Sequence, residues 1–216
     1  MNRLFYISNQ SVCFNETTIM NKGQLTRENI VARAATLFNT RGYAGSSLSE
    51  LMQITGLKKG GIYNHFKSKE EILVAAFEYS VNVVKDTLRK AIENEPTATG
   101  KLKGIVEFYR HFPLNPVIKG GCPILNTIVD SDNTNPILQE KVKKAVDDLI
   151  NELVQIINYG IRKGEFKSKS DPGKAAVVIF TSIEGGIAMA RSHSDNSYME
   201  IIIDHLVKFI DSELTV

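Results

Sequence analysis

The chain has 216 residues, of which 43% are hydrophobic and 23% charged, a composition typical of a folded soluble protein and not of a disordered one. No apolar run approaches the eighteen or so residues that a membrane helix needs, so we predict a cytoplasmic protein with no membrane partner. The two cysteines, Cys13 and Cys122, are too few for a disulfide framework. Residues 1–19 make a poor signal peptide, and we interpret them as an extension that is disordered.

Charge is unevenly distributed along the chain, although the net charge is only +2. Residues 20–70, which we call the head, hold eight Lys and Arg against three acids, a charge of +5. Residues 71–216, which we call the body, carry a charge of −3. A basic head on a mildly acidic body predicts a polyanionic partner for the head alone.

Apolar residues recur at helical spacing along nearly the whole chain, and no alternating strand pattern stands out. The fold is therefore predicted to be all-α, with about nine helices. Helix caps and stop signals give three helices in the head: the first from near Thr26 to Gly42, the second from the capping box of Ser47 and Glu50 to Gly56, and the third over about 58–65.

The body is predicted to hold the other six helices, from the same cap signals and from apolar stripes. The fourth helix opens at a capping box of Ser68 and Glu71 and ends before Pro96. The next four cover about 98–112, about 123–129, Asn135 to Gly164, and Asp171 to Arg191. The last opens at a capping box of Ser197 and Glu200.

The three helices of the head have the arrangement of a helix-turn-helix, whose second helix lies in the DNA major groove. Its tip, in GLKKGGIYNHF at 56–66, is unfavourable for a helix, because Gly60 and Gly61 each cost roughly 1 kcal/mol relative to alanine. The same residues suit docking on DNA. The glycines let the backbone approach the duplex closely, and Lys58 and Lys59 add charge that can reach phosphates or a guanine edge.

The stretch FNTRGYAGSSLSELMQITGLKKGGIYNHFKSKEEIL, at about 38–73, resembles the TetR family of bacterial transcriptional repressors. The resemblance implies a DNA-binding head on a ligand-binding and dimerising body. It places Gly61 and Asn64 at variable positions that often help to choose the operator. Lys58 departs from the family pattern, in which Ser or Thr usually caps this helix, so its role stays open. The implied DNA contacts, mostly to the backbone, are Ser47, Lys59, Gly60, Tyr63, His65 and Lys69.

The last two predicted helices carry broad apolar faces, and the first of them is rich in small residues that permit close helix approach. We predict a homodimer in which these helices form a four-helix interface, with the heads about 34 to 36 Å apart, one turn of B-DNA. The alternative is that both faces only complete the core of one protomer.

A small-molecule effector is predicted to bind among the helices of the body. Each candidate contact has the alternative of being ordinary core, because apolar residues at helical spacing need no ligand to explain them. The candidates are Phe108, Tyr109, His111, Phe112, Cys122, Asn126, Tyr159, Phe180, Glu184 and Met189.

Cys122 follows two glycines and opens a predicted helix, where free N–H groups and the nearby Lys119 would favour the thiolate. A reactive thiol at this place could sense oxidants or electrophiles. The alternative is that Cys122 is a small buried hydrophobic residue.

The sequence as a whole predicts a repressor that leaves its operator when a small molecule binds, with the fourth helix as the lever. An activator of the same fold and a thiol sensor at Cys122 are the alternatives. The four histidines are scattered, and no catalytic triad, metal-binding or phosphate-loop motif is present. We therefore predict no enzyme activity, no cofactor and no metal site.

Overall fold

The computed structural model describes residues 21–131 and 135–216. The extension predicted over residues 1–19 lies outside the described residues. Within them, nine α-helices and a closing π-helical turn make up the helical structure, which confirms the all-α prediction. The helices are α1 (Lys22–Arg41), α2 (Leu48–Thr55), α3 (Lys59–Tyr63), α4 (Lys69–Ile92), α5 (Ala98–Phe108), α6 (Pro123–Ser131), α7 (Pro136–Lys163), α8 (Pro172–His193) and α9 (Ser197–Phe209).

Several predicted caps are present. Ser47 Oγ accepts from the Glu50 N–H at 3.2 Å, and Glu50 Oε2 accepts from the Ser47 N–H at 2.8 Å, so α2 opens with the predicted capping box. Asn135 and Asp171 cap α7 and α8, and a proline follows each cap. These starts were predictable because a cap and its partner lie within three residues of each other.

The predicted bounds of three helices and one predicted capping box are wrong. α1 begins one turn earlier than near Thr26, because Asn21 and Gln24 form a capping box of their own. α3 covers only Lys59–Tyr63 instead of about 58–65, and Lys58 supplies no side-chain cap at its start. α5 ends at Phe108 instead of about 112. Tight turns follow Phe108, in which the Tyr109 N–H donates to the Val106 carbonyl. The capping box predicted at the start of α9 is absent, because Ser197 is itself the first helical residue.

The head and the body share one hydrophobic core. α4 begins at Lys69, at the end of the head. Ile72, Leu73, Ala76 and Phe77 in its first half are buried, and the helix packs against α1. Further along, α4 packs against α5, α6 and α7. A movement inside the body therefore has a direct mechanical route to the head through α4.

α8 is long and apolar enough to cross a membrane by length and composition alone. Its buried side, which includes Ile179, Ile183 and Ile187, lies on the side that packs against α7 and α9. Core helices of soluble proteins pass the same test. We therefore interpret α8 as a core helix with one exposed face.

Candidate DNA interface and effector cavity

The tip of α3 exposes polar residues above a buried anchor. Lys58, Lys59 and Asn64 are exposed, and Tyr63 keeps 37% of its surface accessible. Ile62, on the inner side of the same helix, is fully buried. The outer side of α3 therefore presents Lys58 and Lys59 at its amino-terminal end and Tyr63 at its carboxyl end.

Packing within the head does not require the two glycines of this tip. A β-carbon at Gly60 would have no neighbour within 4 Å, and one at Gly61 would lie 3.6 Å from Leu57 Cβ, an ordinary contact. Alanine at either position would favour the helix by roughly 1 kcal/mol. The bare backbone is thus a cost to the free protein that its own packing does not explain.

Three other residues that were predicted to contact DNA also contribute to the structure of the head itself. Ser47 caps α2, and His65 is half-buried. Lys69 Nζ donates to the carbonyls of Tyr43, at 2.9 Å, and Ser46, and it lies 4.2 Å from the centroid of the Tyr43 ring. Burial lowers the pKa of Lys69. Two of its three protons are used by the turn between α1 and α2, which leaves one for an outside acceptor.

The body holds two adjoining cavities, of about 70 and 20 Å³. A water molecule needs about 10–15 Å³ of such space, so the larger cavity has room for a small organic group. The residues that line both are Lys85, Leu88, Tyr109, Leu149 and Glu184. The larger is completed by Arg89, Ile92, Ile105, Glu152, Leu153, Ile156, Phe180 and Ile183, and the smaller by Val81, Val84, Cys122, Pro123 and Ile124.

Glu184 is the buried acid of these cavities, with 9% of its surface exposed. The Cys122 thiol donates to its Oε1 at 3.1 Å, whereas its Oε2 accepts no hydrogen bond from any described residue. Burial raises the pKa of Glu184 to about 7, against the opposing effect of the hydrogen bond from Cys122. At neutral pH the carboxyl therefore holds its proton far more readily than an exposed glutamate does.

The larger cavity also has a charged mouth. Lys85 Nζ lies 3.3 Å from Glu152 Oε1, and Arg89 Nη2 lies 3.6 Å from the same oxygen. The side chains of Arg89 and Glu152 are 64% and 45% exposed. The cavity therefore has an exposed, ion-paired end and a buried end with a single carboxyl.

Comparisons with known proteins match both parts of the chain. The family described as "Bacterial regulatory proteins, tetR family" matches residues 30–76, and "Tetracyclin repressor-like, C-terminal domain" matches residues 98–206. The structure of a TetR transcriptional regulator from Chloroflexus aurantiacus J-10-FL is 36% identical and covers 91% of this chain and 100% of its own, with a TM-score of 0.88. The chain belongs to the TetR family.

Two further relatives agree with this assignment. A TetR-family transcriptional regulator from Cytophaga hutchinsonii is 31% identical, with a TM-score of 0.84 and coverage of 91% of this chain and 98% of that one. The fatty acid metabolism regulator protein of Bacillus subtilis (strain 168) is 28% identical over 156 residues, which is 72% of this chain and 78% of the relative. The protein is thus a TetR-family helix-turn-helix transcriptional regulator, as the resemblance at about 38–73 predicted.

Four of the ten effector contacts predicted for this TetR-family regulator line the cavities: Tyr109, Cys122, Phe180 and Glu184. The other six lie elsewhere. Phe108 and Phe112 pack with Tyr109 in an aromatic cluster, His111 and Met189 are exposed, Tyr159 is half-buried, and the Asn126 side chain is hydrogen-bonded.

The wall that α4 contributes to the larger cavity was not predicted from the sequence. Lys85, Leu88, Arg89 and Ile92 follow one another at helical spacing and all line it. The usable signal was the pair of cations one turn apart within an otherwise apolar stripe. We interpreted that stripe only as core.

The thiolate predicted at Cys122 is wrong. Burial raises the pKa of the thiol well above its ordinary value, and the nearby Glu184 raises it further. The N–H groups of Leu125 and Ile124 act in the opposite direction, but more weakly. Cys122 is 4% exposed, so the buried alternative is confirmed, and the chemical basis for a thiol sensor is lost.

A cluster of asparagines joins the head to the body. Asn39, near the end of α1, donates from Nδ2 to the carbonyls of Lys119 (3.1 Å) and Gly121 (3.0 Å). Asn126 Nδ2 donates to the Asn39 carbonyl at 3.0 Å and to Asn39 Oδ1 at 2.9 Å. Arg191 of α8 donates to Asn126 Oδ1 at 2.9 Å. We call Asn39, Asn126 and Arg191 the asparagine cluster.

The asparagine cluster and the cavity meet in one short segment. Residues 119–126 include both Asn126 and Cys122, and Cys122 bonds to Glu184 inside the cavity. This segment is therefore a second physical connection between the cavity and α1, besides α4.

Proposed function

We propose that this regulator is a cytoplasmic homodimeric repressor that binds a near-palindromic operator and leaves it when a small molecule enters the cavities of the body. The observation that carries the proposal is the exposed, glycine-bearing tip of α3, in a helix-turn-helix that matches the family. The glycine backbone lowers the stability of the free protein, and it allows α3 to approach DNA closely.

At the operator, α3 lies in the major groove, with its amino-terminal end towards the phosphates. Lys59, Tyr63 and the backbone at Gly60 contact phosphates and fix the register of the helix. Asn64 and Gly61 face base edges and contribute to the choice of sequence. Lys58 adds charge beside them, and Ser47, His65 and Lys69 contact the backbone with the donors that the head leaves free.

The dimer forms through the exposed face of α8, together with α9. Val177, Thr181, Gly185 and Met189 are all exposed and recur every four residues, so they form one stripe along α8. On α9, Ile201 is 66% exposed. An apolar stripe of this kind is stabilised when a second copy covers it, and a two-fold dimer sets the spacing of two heads.

Release follows if the effector prefers a form of the body in which the heads no longer fit two successive grooves. α4 and the asparagine cluster both join the cavity walls to α1. A ligand that displaces α4 or the 119–126 segment therefore changes the orientation of the head.

The test measures binding of the purified protein to the DNA upstream of its own gene. Fluorescence anisotropy reports the affinity at several salt concentrations. We expect affinity to fall steeply with salt, because each phosphate contact releases counterions. A scrambled fragment of the same length is the control. Affinity that does not depend on salt, or that is equal for both fragments, contradicts the proposal. A reporter gene under the same promoter distinguishes a repressor from an activator.

Tyr63→Phe and Asn64→Ala are expected to separate positioning from sequence choice. Loss of the Tyr63 hydroxyl weakens binding to all sequences by a similar factor, whereas loss of the Asn64 amide changes the ranking of operator variants, by about 1–3 kcal/mol at one base pair. Both are measured by competition against a panel of singly substituted operators. Equal losses on every sequence for both variants would contradict this division.

Gly60→Ala is expected to move stability and DNA binding in opposite directions. The free protein gains roughly 1 kcal/mol of unfolding free energy, since alanine favours the helix and its β-carbon meets no neighbour. Operator affinity falls by about tenfold, equal to 1.4 kcal/mol, because the added methyl group holds α3 away from the duplex. Urea unfolding and anisotropy measure the two effects. Unchanged affinity would show that the backbone at Gly60 does not approach DNA.

A further inference from the structure

We propose that the effector is a cationic amine with an apolar body, and that its ammonium group binds Oε2 of Glu184. The inference rests on the proposed role of the cavities as the effector site. It adds the chemical class of the ligand and names the atom that recognises it.

The buried carboxyl is the first argument. Glu184 is more than nine-tenths buried, it lines both cavities, and its Oε2 has no donor among the described residues. A buried acceptor without a partner is unfavourable, and more so when the carboxyl is ionised. An ammonium group supplies both the missing N–H donor and the compensating charge.

The rest of the wall is suited to a hydrocarbon or aromatic body. Most of its side chains are apolar, and they offer a ligand dispersion contacts and burial. The apolar residues that surround the larger cavity are Leu88, Ile92, Ile105, Leu149, Leu153, Ile156, Phe180 and Ile183.

The charged groups around Glu184 favour a cation over an anion. Lys85 and Arg89 of α4 both form ion pairs with Glu152 of α7. Neither forms an ion pair with Glu184 in the described structure. Cys122, at the start of α6, and Tyr109, after α5, are the other titratable groups of the wall. An anionic ligand would have to compete with Glu152 for the cations and would be repelled by an ionised Glu184.

Binding should depend on pH in a definite direction. The carboxyl must be ionised to attract an ammonium group, and its pKa in the free protein is about 7. As the pH falls below that value, binding must first remove a proton, so affinity drops by about tenfold per pH unit. Above it, affinity levels off.

The experiment uses three probes with the same phenylpropyl body: phenylpropylamine, butylbenzene and phenylbutyrate. They present an ammonium group, a methyl group and a carboxylate at the same place. Isothermal titration of the full-length protein without DNA is expected to show the amine binding at least about tenfold more tightly than butylbenzene, because only the amine forms a close buried charge pair with Glu184. Phenylbutyrate is expected to bind most weakly.

Glu184→Gln keeps the shape of the side chain and removes its charge, so it should abolish the preference for the amine and its pH dependence. Glu93→Gln, an exposed acid at the carboxyl end of α4 that lines neither cavity, is the matched control and should preserve both. The pH profile of the unaltered protein, from about pH 6 to about pH 8, tests the same point without a variant.

Equal affinity for all three probes, tightest binding of phenylbutyrate, or no binding of any probe would each overturn the proposal. None of these outcomes tests the proposed function, because operator binding is measured separately and without ligand. Salt-sensitive operator binding with no amine preference refutes only the ligand class. Amine binding without operator binding refutes only the repressor.

Discussion

Gly185→Arg is expected to convert the protein to a monomer and to weaken operator binding by about 10²- to 10⁴-fold, the usual gain from linking two binding modules. Gly185 lies in the middle of the exposed stripe of α8, and a β-carbon there would have no neighbour within 4 Å. The substitution therefore leaves the protomer intact, and its helix propensity improves. In a two-fold dimer it brings two guanidinium groups into an apolar contact between α8 and its copy.

Sedimentation velocity measures the oligomeric state of this variant. Fluorescence anisotropy measures its affinity for a whole operator and for a half-site. Gln155→Arg is the matched control, since Gln155 is exposed on α7 and the charge change is the same. A variant that remains dimeric would show that α8 does not form the interface. A monomeric variant with full operator affinity would contradict the coupling of dimerisation to DNA binding.

The sequence predicted those features whose stabilising contacts join residues close together in the chain. Ser47 with Glu50, and Asp171 with Lys174, are three residues apart, so their caps follow from short-range spacing alone. The motif around α3 is equally local, and it identified the family. Helix ends that depend on tertiary packing were not predictable in this way, as at the aromatic turn after Phe108, where Tyr109 and Phe112 are buried.

The cavity depends on contacts between residues far apart in the chain, which local sequence patterns do not predict. The thiolate prediction at Cys122 used the local helix end and Lys119, but burial in the body raises the pKa of the thiol, and Glu184, 62 positions away, raises it further. Asn126 was predicted to contact a ligand, and its amide is bonded to Asn39, 87 positions away. Helical periodicity identifies an inward face, yet it does not distinguish a packed face from a cavity wall.

Gly120→Ala is expected to destabilise the protein by at least about 3 kcal/mol, well beyond the effect of a strained backbone alone. Gly120 has a φ of +109°, and a β-carbon there would overlap the carbonyl of Asn39 in α1. The close approach of the 119–126 segment to α1, which the asparagine cluster holds, therefore requires glycine. The replacement forces the segment away from the head and breaks hydrogen bonds of Asn39 and Asn126.

Gly164→Ala is the matched control for this substitution. Gly164 has a φ of +74° but no neighbour within 4 Å of a β-carbon, so alanine there costs only the left-handed backbone, about 1–2 kcal/mol. Urea unfolding compares the two variants, and amide hydrogen exchange follows the end of α1, which should open in Gly120→Ala alone. Operator affinity should fall only in that variant, because only there does the head lose its contact with the 119–126 segment. Equal destabilisation by both variants, with unchanged exchange in α1, would mean that this segment does not orient the head and that α4 alone connects it to the cavity.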